Sequence, residues 1–375
     1  MKCQDAGQPV SRAPRDIPVT SLRSPPANGI GGDGVLNRTR ICVLRRTPLL
    51  HMKITVLVPT YRRTSDLARC LEALACQTRR PDQVVVVFRE NDEETVAWLA
   101  MEKAVGCLPL LKVAIDVPGQ VAALNAGLNA VTGDIVAITD DDAAPRPGWV
   151  AIIEKHFANS PDVGGVGGRD WVHQDGAVLT GAQRFVGRWR FPGRAIGAHH
   201  LGVGGARDVH FLKGANMSYR MSAIRNGAIG FDTRLRGAGA QVHNDMAFAS
   251  SVRRSGWRLV YDPAVAVDHY PAQRFDEDTR SSRGSRKWIA VENESYNLHL
   301  LLHDEFRYVR RWAALCWIAL IGHDGCLGLA YLLRNRVLRR QTSALQDWRA
   351  SRSGAALARL TLARDKLADR GRTPG

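Results

Sequence analysis

The 375-residue sequence predicts an α/β protein with a doubly wound, mostly parallel sheet and a helical, basic C-terminal extension. Three observations predict it. From Met52 onward, short apolar runs alternate with stretches of helical periodicity, the pattern of strands joined by crossover helices. The apolar runs are continuous rather than alternating, as in strands covered on both faces. The composition, 45% hydrophobic and 23% charged, is that of a globular chain and excludes a disordered tail or a multi-span membrane protein.

The elements follow in order. Residues 1–51 are rich in Pro, Gly, Ser and Arg without sustained periodicity, and read as a disordered basic extension. Met52 opens MKITVLVPTYRR and reads as the beginning of the folded part, and as an alternative translation start. Residues 54–58 are an apolar strand ended by Pro59. Residues 65–77 carry Leu67, Leu71 and Leu74 at helical spacing. QVVVVF (83–88) is a second strand, 95–105 a helix, 110–116 a strand, 120–131 a helix, and 135–139 a fourth strand. A helix is expected from Asn244 to near Arg254, closed by Ser255-Gly256, with WRLVY as a strand after it. The glycine runs at 164–168 and 202–205 read as loops. GGVGG is not a dinucleotide site, because no strand-to-helix turn surrounds it.

A net charge of +16 points first to nucleic acid or an anionic membrane as partner. Its distribution argues otherwise. Residues 1–51 carry +5, residues 52–275 carry +4 and residues 276–375 carry +7, so the folded middle is nearly neutral. The seven cysteines are scattered and form no CxxC pair, which excludes a zinc ribbon or disulfide framework and fits a reducing compartment. The first fifty residues lack the apolar core of a secretory signal.

In doubly wound sheets ligands bind beyond the carboxyl ends of the strands. After the fourth strand stand Asp140, Asp141 and Asp142. Three adjacent carboxylates are either a solvated acidic turn or a site for a hard divalent cation with a phosphorylated substrate. Asp245, in the first turn of its helix, is either a dipole-favourable residue or a general base. His269 follows the strand-like VAVD and is a candidate metal ligand.

The ordered set ITVLVPTYRR, AALNAGL, ITDDDAAPRPGW, KGANMSYR, GFD, ND and GWRLVYDPAVAVDH resembles the family 2 glycosyltransferases with the GT-A fold, over roughly residues 52–275. The resemblance implies transfer of a sugar from a nucleotide-sugar donor, with inversion, assisted by Mn²⁺ or Mg²⁺. It implies that Asp140 contacts the donor ribose and the metal, that Asp142 holds the metal, and that His269 is a further ligand. Asp245 matches the catalytic base, and Asn244 stands where the family has Glu. Pro59, Thr60, Tyr61 and Arg62 match the start of the donor pocket. Gly214, Ala215 and Asn216 match the sugar and acceptor side, where Asn244 also falls. In AALNAGL, Asn125 is retained while Leu124 replaces the usual Arg. The turn FRENDE (88–93) lacks the usual strand-end acidic residue. Either Asp92 reads the donor base from a shifted position, or Arg89 has replaced it.

Processive members carry Gln-x-x-Arg-Trp. SSRGSRKW (281–288) lacks the Gln and the order, which implies single-sugar transfer. Residues 312–333 are long enough to span a bilayer, but His323-Asp324-Gly325 sits at the middle, and a central Asp costs about 2.5–3.5 kcal/mol. Two short helices at a membrane interface, rimmed by the arginines of 310–340, are expected, with a packed helical hairpin as the other reading. The expected partners are a nucleotide sugar, a glycan or lipid-linked acceptor, and the cytoplasmic membrane face through 312–340, with no nucleic acid. Two other function classes compete. A sugar nucleotidyltransferase would need a Gly-rich loop after the first strand, which PTYRRTSD is not. A basic membrane or nucleic-acid adaptor would retain the core without catalysis.

Overall fold

The computed structural model describes residues 51–101, 107–275, 288–323 and 325–370. The N-terminal extension up to residue 50 and residues 281–287 of the SSRGSRKW segment lie outside these.

β1 (Ile54–Pro59) is buried along its length. It is followed by α1 (Thr64–Ala75), β2 (Gln83–Arg89), α2 (Glu93–Met101), β3 (Leu110–Ile115), α3 (Gln120–Asn129) and β4 (Ile135–Ile138). These four strands pair in parallel in the order β3-β2-β1-β4. Next come β5 (Ala143–Pro145), α4 (Trp149–Asn159), β6 (Val163–Gln174), β7 (Ala177–Val178), and the β8 (Arg188–Arg190) and β9 (Arg194–Ile196) hairpin. β10 (Arg207–Val209), β11 (Met217–Arg220), α5 (Met221–Asn226), α6 (Asn244–Arg254) and β12 (Arg258–His269) complete the sheet region. The full order is β10-β12-β6-β11-β4-β1-β2-β3. β11 runs antiparallel between β4 and β6, and β12 lies parallel to β6.

Strand residues alternate between two apolar layers, as the period of two requires. Ile54, Val56, Val58, Val84 and Val86 pack with Leu67, Leu71 and Leu74 of α1 and Trp149, Ile153 and Phe157 of α4. Leu57, Val85, Val87, Val136 and Ile138 face the other way, with Val121, Leu124 and Leu128 of α3. α7 (Trp288–Glu305) joins that second layer through Tyr296, Leu298 and Leu300 to Leu302.

The glycine run at 164–168 is not a loop, as expected from the sequence, but the buried interior of β6. Close packing explains it. A Cβ on Gly168 would meet the Val265 carbonyl oxygen at 1.7 Å, at the bulge between Asp262 and Ala266 of β12. The second run, 202–205, does lie in the connection before β10.

The 312–333 segment contains two helices split by a hairpin. α8 (Tyr308–Leu320) is followed by β13 (Gly322–His323), β14 (Cys326–Leu327) and α9 (Leu329–Leu333). α8 buries Ala314 and Ile318, while Tyr308, Trp312, Cys316 and Leu320, each four residues apart, form an exposed face. The last helix, α10 (Ala344–Arg370), packs on α7, where Tyr296 Oη and Thr361 Oγ1 are 2.9 Å apart. Among the described residues no helix is long and apolar enough to cross a membrane.

Candidate functional site

The chain turns from building β2 and β3 on one side of β1 to placing β4 on the other. Adjacent crossovers leave the sheet in opposite directions there, which opens a crevice at the strand ends. The register pairs Leu57 with Ile138, so the segments after Pro59 and after Ile138 emerge side by side. Thr60 and the acidic triplet therefore meet.

Asp141 is fully buried. Its Oδ2 accepts the Thr60 hydroxyl at 2.8 Å, and Arg63 Nη2 stands 3.0 Å from its Oδ1. Burial pushes this carboxyl up, and Arg63 and Thr60 pull it back. Arg63 also reaches Asp142 Oδ2 at 3.4 Å. The mutual repulsion of the triplet is thus offset by Arg63, a residue that sequence reasoning missed in favour of its neighbour Arg62. Nothing in the RR pair distinguishes the two. Arg62 is exposed, with φ +56°, and its N–H is bound by Asp92 at 2.6 Å. Asp140 is half-buried, and its Oδ1 accepts from Gln120 Nε2 at 3.4 Å.

The second half of β12 pairs with β5 beyond the bulge, and the register sets His269 opposite Ala143. His269 Nε2 is therefore 3.4 Å from Asp142 Oδ1, while its Nδ1 is 3.8 Å from Asp170 Oδ2. Burial alone would lower His269, but the two carboxylates overcome it and raise the imidazole to about 9. Burial likewise pushes Asp142 up, yet His269, Arg63 and the Ala272 amide hold it down at about 2. Asp170, fully buried in β6, pairs with Lys213. Sequence reasoning passed over both. The available signal was an Asp inside the apolar strand GGVGGRDWV, since a buried carboxylate requires a partner.

On the opposite wall, Asp245 lies in the first turn of α6. Its Oδ2 accepts the Gly214 N–H at 3.0 Å and its Oδ1 accepts the Met246 N–H at 2.7 Å. Burial of this carboxyl pushes it up, and the amides pull it back. Tyr61 is flanked by two guanidiniums, Arg89 at 3.8 Å and Arg62 at 5.1 Å from its ring centre.

Several expected site residues turn their side chains to the scaffold. Asp92 binds the Arg62 and Thr95 amides and the Thr95 hydroxyl at the head of α2. Both amide atoms of Asn125 are hydrogen-bonded to the backbone of Phe231, fixing the GFD segment. Asn216 is buried, accepting from Trp149 Nε1 at 2.8 Å and donating to the Val265 carbonyl at 2.8 Å. Ala215 is also buried, and its carbonyl accepts the Thr139 hydroxyl at 3.0 Å. Asn244 donates to the Ala240 carbonyl at 2.7 Å and to Gln120 Oε1 at 3.2 Å, joining Asp140 to the head of α6 through Gln120.

Among the described residues no three His, Cys, Asp or Glu side chains form a ready cation cage. The donor chemistry nevertheless fits a divalent cation. Asp142 Oδ1 is buried without a hydrogen-bond donor and faces an imidazole nitrogen, a set that suits Mg²⁺ or Mn²⁺ when phosphate oxygens complete the shell.

A family model described as glycosyltransferase like family 2 matches residues 51–287. The chain is 26% identical over 228 residues to the glucosyl-dolichyl phosphate glucuronosyltransferase of Haloferax volcanii, covering 58% of this chain and 69% of that one. It is 27% identical over 302 residues to the pre-mycofactocin glycosyltransferase of Mycobacterium tuberculosis, covering 77% of this chain but 58% of that relative. Among solved structures, S. aureus TarS 1–349 in complex with UDP-GlcNAc superposes with a TM-score of 0.55 at 16% identity, covering 79% of this chain and 78% of that one. That likeness shows a shared fold. With the family model spanning well over half of its length, the chain belongs to the glycosyltransferase like family 2 and is a glycosyltransferase of GT-A fold.

Proposed function

We propose that the enzyme is an inverting, metal-dependent glycosyltransferase. It moves a sugar from a nucleotide-sugar donor to a hydroxyl of a glycan or lipid-linked acceptor in surface polysaccharide or glycoconjugate synthesis. The observation that carries this reading is the set of strand-end carboxylates, with Asp142 beside His269, joined through Gln120 and Asn244 to the head of α6, whose Asp245 carboxyl is fixed by the Gly214 amide. Asp140, Asp142 and His269 would hold Mn²⁺ or Mg²⁺, which when bound neutralises charge on the leaving diphosphate. The segment from Pro59 to Arg62 forms the nucleotide wall. Because the Asp92 carboxylate is committed to the head of α2, the base is read by Arg89, whose guanidinium lies over Tyr61 and donates to the Ala238 carbonyl at 3.1 Å. Asp245 takes the proton of the acceptor hydroxyl as that oxygen attacks the anomeric carbon. Burial makes it a stronger base than a solvated carboxylate.

The relatives support the acceptor class by their names, which refer to a dolichyl phosphate sugar and to pre-mycofactocin. The exposed face of α8 supports a peripheral position on the cytoplasmic face of a membrane. Tyr308 and Trp312 are 74% and 70% exposed, and arginines at 307, 310, 334, 336, 339 and 340 surround the segment.

Hydrolysis of UDP-, GDP- and dTDP-sugars with Mn²⁺ tests the assignment. Asp142→Ala and Asp245→Asn are each expected to lower turnover by about 10²–10⁴-fold. Turnover retained in either variant refutes that residue's role.

A further inference from the structure

One buried charge pair is left unused by this mechanism. Asp170 is inaccessible to solvent, and a carboxylate so placed is stable only when paired. Its partner Lys213 comes from the turn that leads into Gly214, and the Lys213 side chain keeps 36% of its surface exposed. An ammonium has three donors. Asp170 takes one, and the partial exposure of the side chain gives a ligand access to it.

The turn that carries Lys213 is held from several sides. The Gly214 N–H binds Asp245, the Ala215 carbonyl accepts from Thr139, and Asn216 is tied to Trp149 and Val265. Lys213 therefore has little freedom to leave. Through Asp170 it is joined to the His269–Asp142 couple, and through Gly214 to Asp245, so it stands between the two ends of the crevice. Its charge is felt at both ends. A cation tied to the phosphate-holding couple through Asp170, on the turn whose amide fixes the proton acceptor, is suited to act on the bond between sugar and phosphate that must break.

We propose that Lys213, oriented by Asp170, forms a subsite for the distal phosphate of a nucleoside diphosphate, an inference that rests on the glycosyltransferase reading above. In the transfer, the acceptor oxygen bonds to the anomeric carbon and its proton passes to Asp245. The bond from that carbon to the phosphate oxygen breaks, and the electron pair stays on the phosphate. Lys213 stabilises the oxygen that receives the pair. Asp170 is a positioning residue.

Calorimetric titration separates this from a merely structural pair. Wild type, Lys213→Gln, Lys213→Arg and Asp170→Asn are titrated with UDP, GDP and dTDP and with the matching monophosphates, all with Mn²⁺. Wild type is expected to bind at least one diphosphate. Lys213→Gln should weaken that diphosphate by about 10- to 100-fold, the effect of one charged hydrogen bond, and leave its monophosphate unchanged. Lys213→Arg should restore much of the loss, and Asp170→Asn should show the same selective loss in smaller measure. Equal binding of the diphosphate by wild type and Lys213→Gln overturns the subsite. So does an equal loss of mono- and diphosphate in a Lys213→Gln variant that keeps the wild-type urea midpoint. Wild type that binds none of the nucleotides overturns the glycosyltransferase reading itself.

Discussion

Replacing Arg63 with Met removes the only positive group within 3.5 Å of Asp141 among the described residues. At 3.0 Å and an effective dielectric of about 20, the lost attraction is about 5 kcal/mol gross. Breaking a buried pair from one side costs about 3–5 kcal/mol net. Burial holds Asp141 at about 8, above its ordinary value, and without Arg63 it rises further. Below about 8 the carboxyl is largely neutral with or without Arg63, so the attraction is lost only where the wild-type carboxyl is ionised. At pH 9.5, about 1.5 pH units above that value, the loss is about 2 kcal/mol. Urea denaturation of metal-free protein should therefore show a larger loss at pH 9.5 than at pH 5. Adding Asp141→Asn to Arg63→Met should recover more than half of the loss at pH 9.5, since a neutral amide needs no counter-charge. A loss below about 1 kcal/mol at pH 9.5, or one that Asp141→Asn leaves unchanged, refutes the reasoning.

Two further expectations concern the Asp142–His269 couple and the C-terminal helices. In metal-free protein His269 is raised from 6.5 to about 9, so its pairing stabilises the fold fully below pH 6.5 and ceases to do so as pH rises through 9. The interval corresponds to about 3 kcal/mol, and His269→Gln should flatten the alkaline slope of stability in EDTA; parallel slopes would count against the pairing. For membrane contact, Trp312→Asp or Leu320→Asp should lower flotation with anionic vesicles at least about tenfold, the value of one inserted apolar side chain, while nucleotide-sugar hydrolysis stays unchanged. Undiminished flotation would remove α8 from the contact.

The parallel half of the sheet was legible because its strands are continuous apolar runs and α1 carries its leucines at helical spacing. β6 was not. Its glycines look like a loop until β12 is seen to press against them, and that contact joins residues about a hundred positions apart. The carboxylates at the strand end were visible for a similar local reason, whereas Arg63 beside them and the buried Asp170–Lys213 pair were not. Arg63, Asp170 and Lys213 come from three separate segments, and no periodicity links them.

The sequence by itself determined the α/β class, the crevice-facing acidic triplet and the helix that bears Asp245, since each depends on neighbours a few residues away. It could not decide which side chains in the family's motifs face a ligand. Asp92, Asn125 and Asn216 satisfy buried backbone or indole groups instead. Buried polar groups must find partners wherever the fold supplies them. The tertiary structure alone settled those pairings, because strand register and the β12 bulge fix which distant atoms come within 3 or 4 Å.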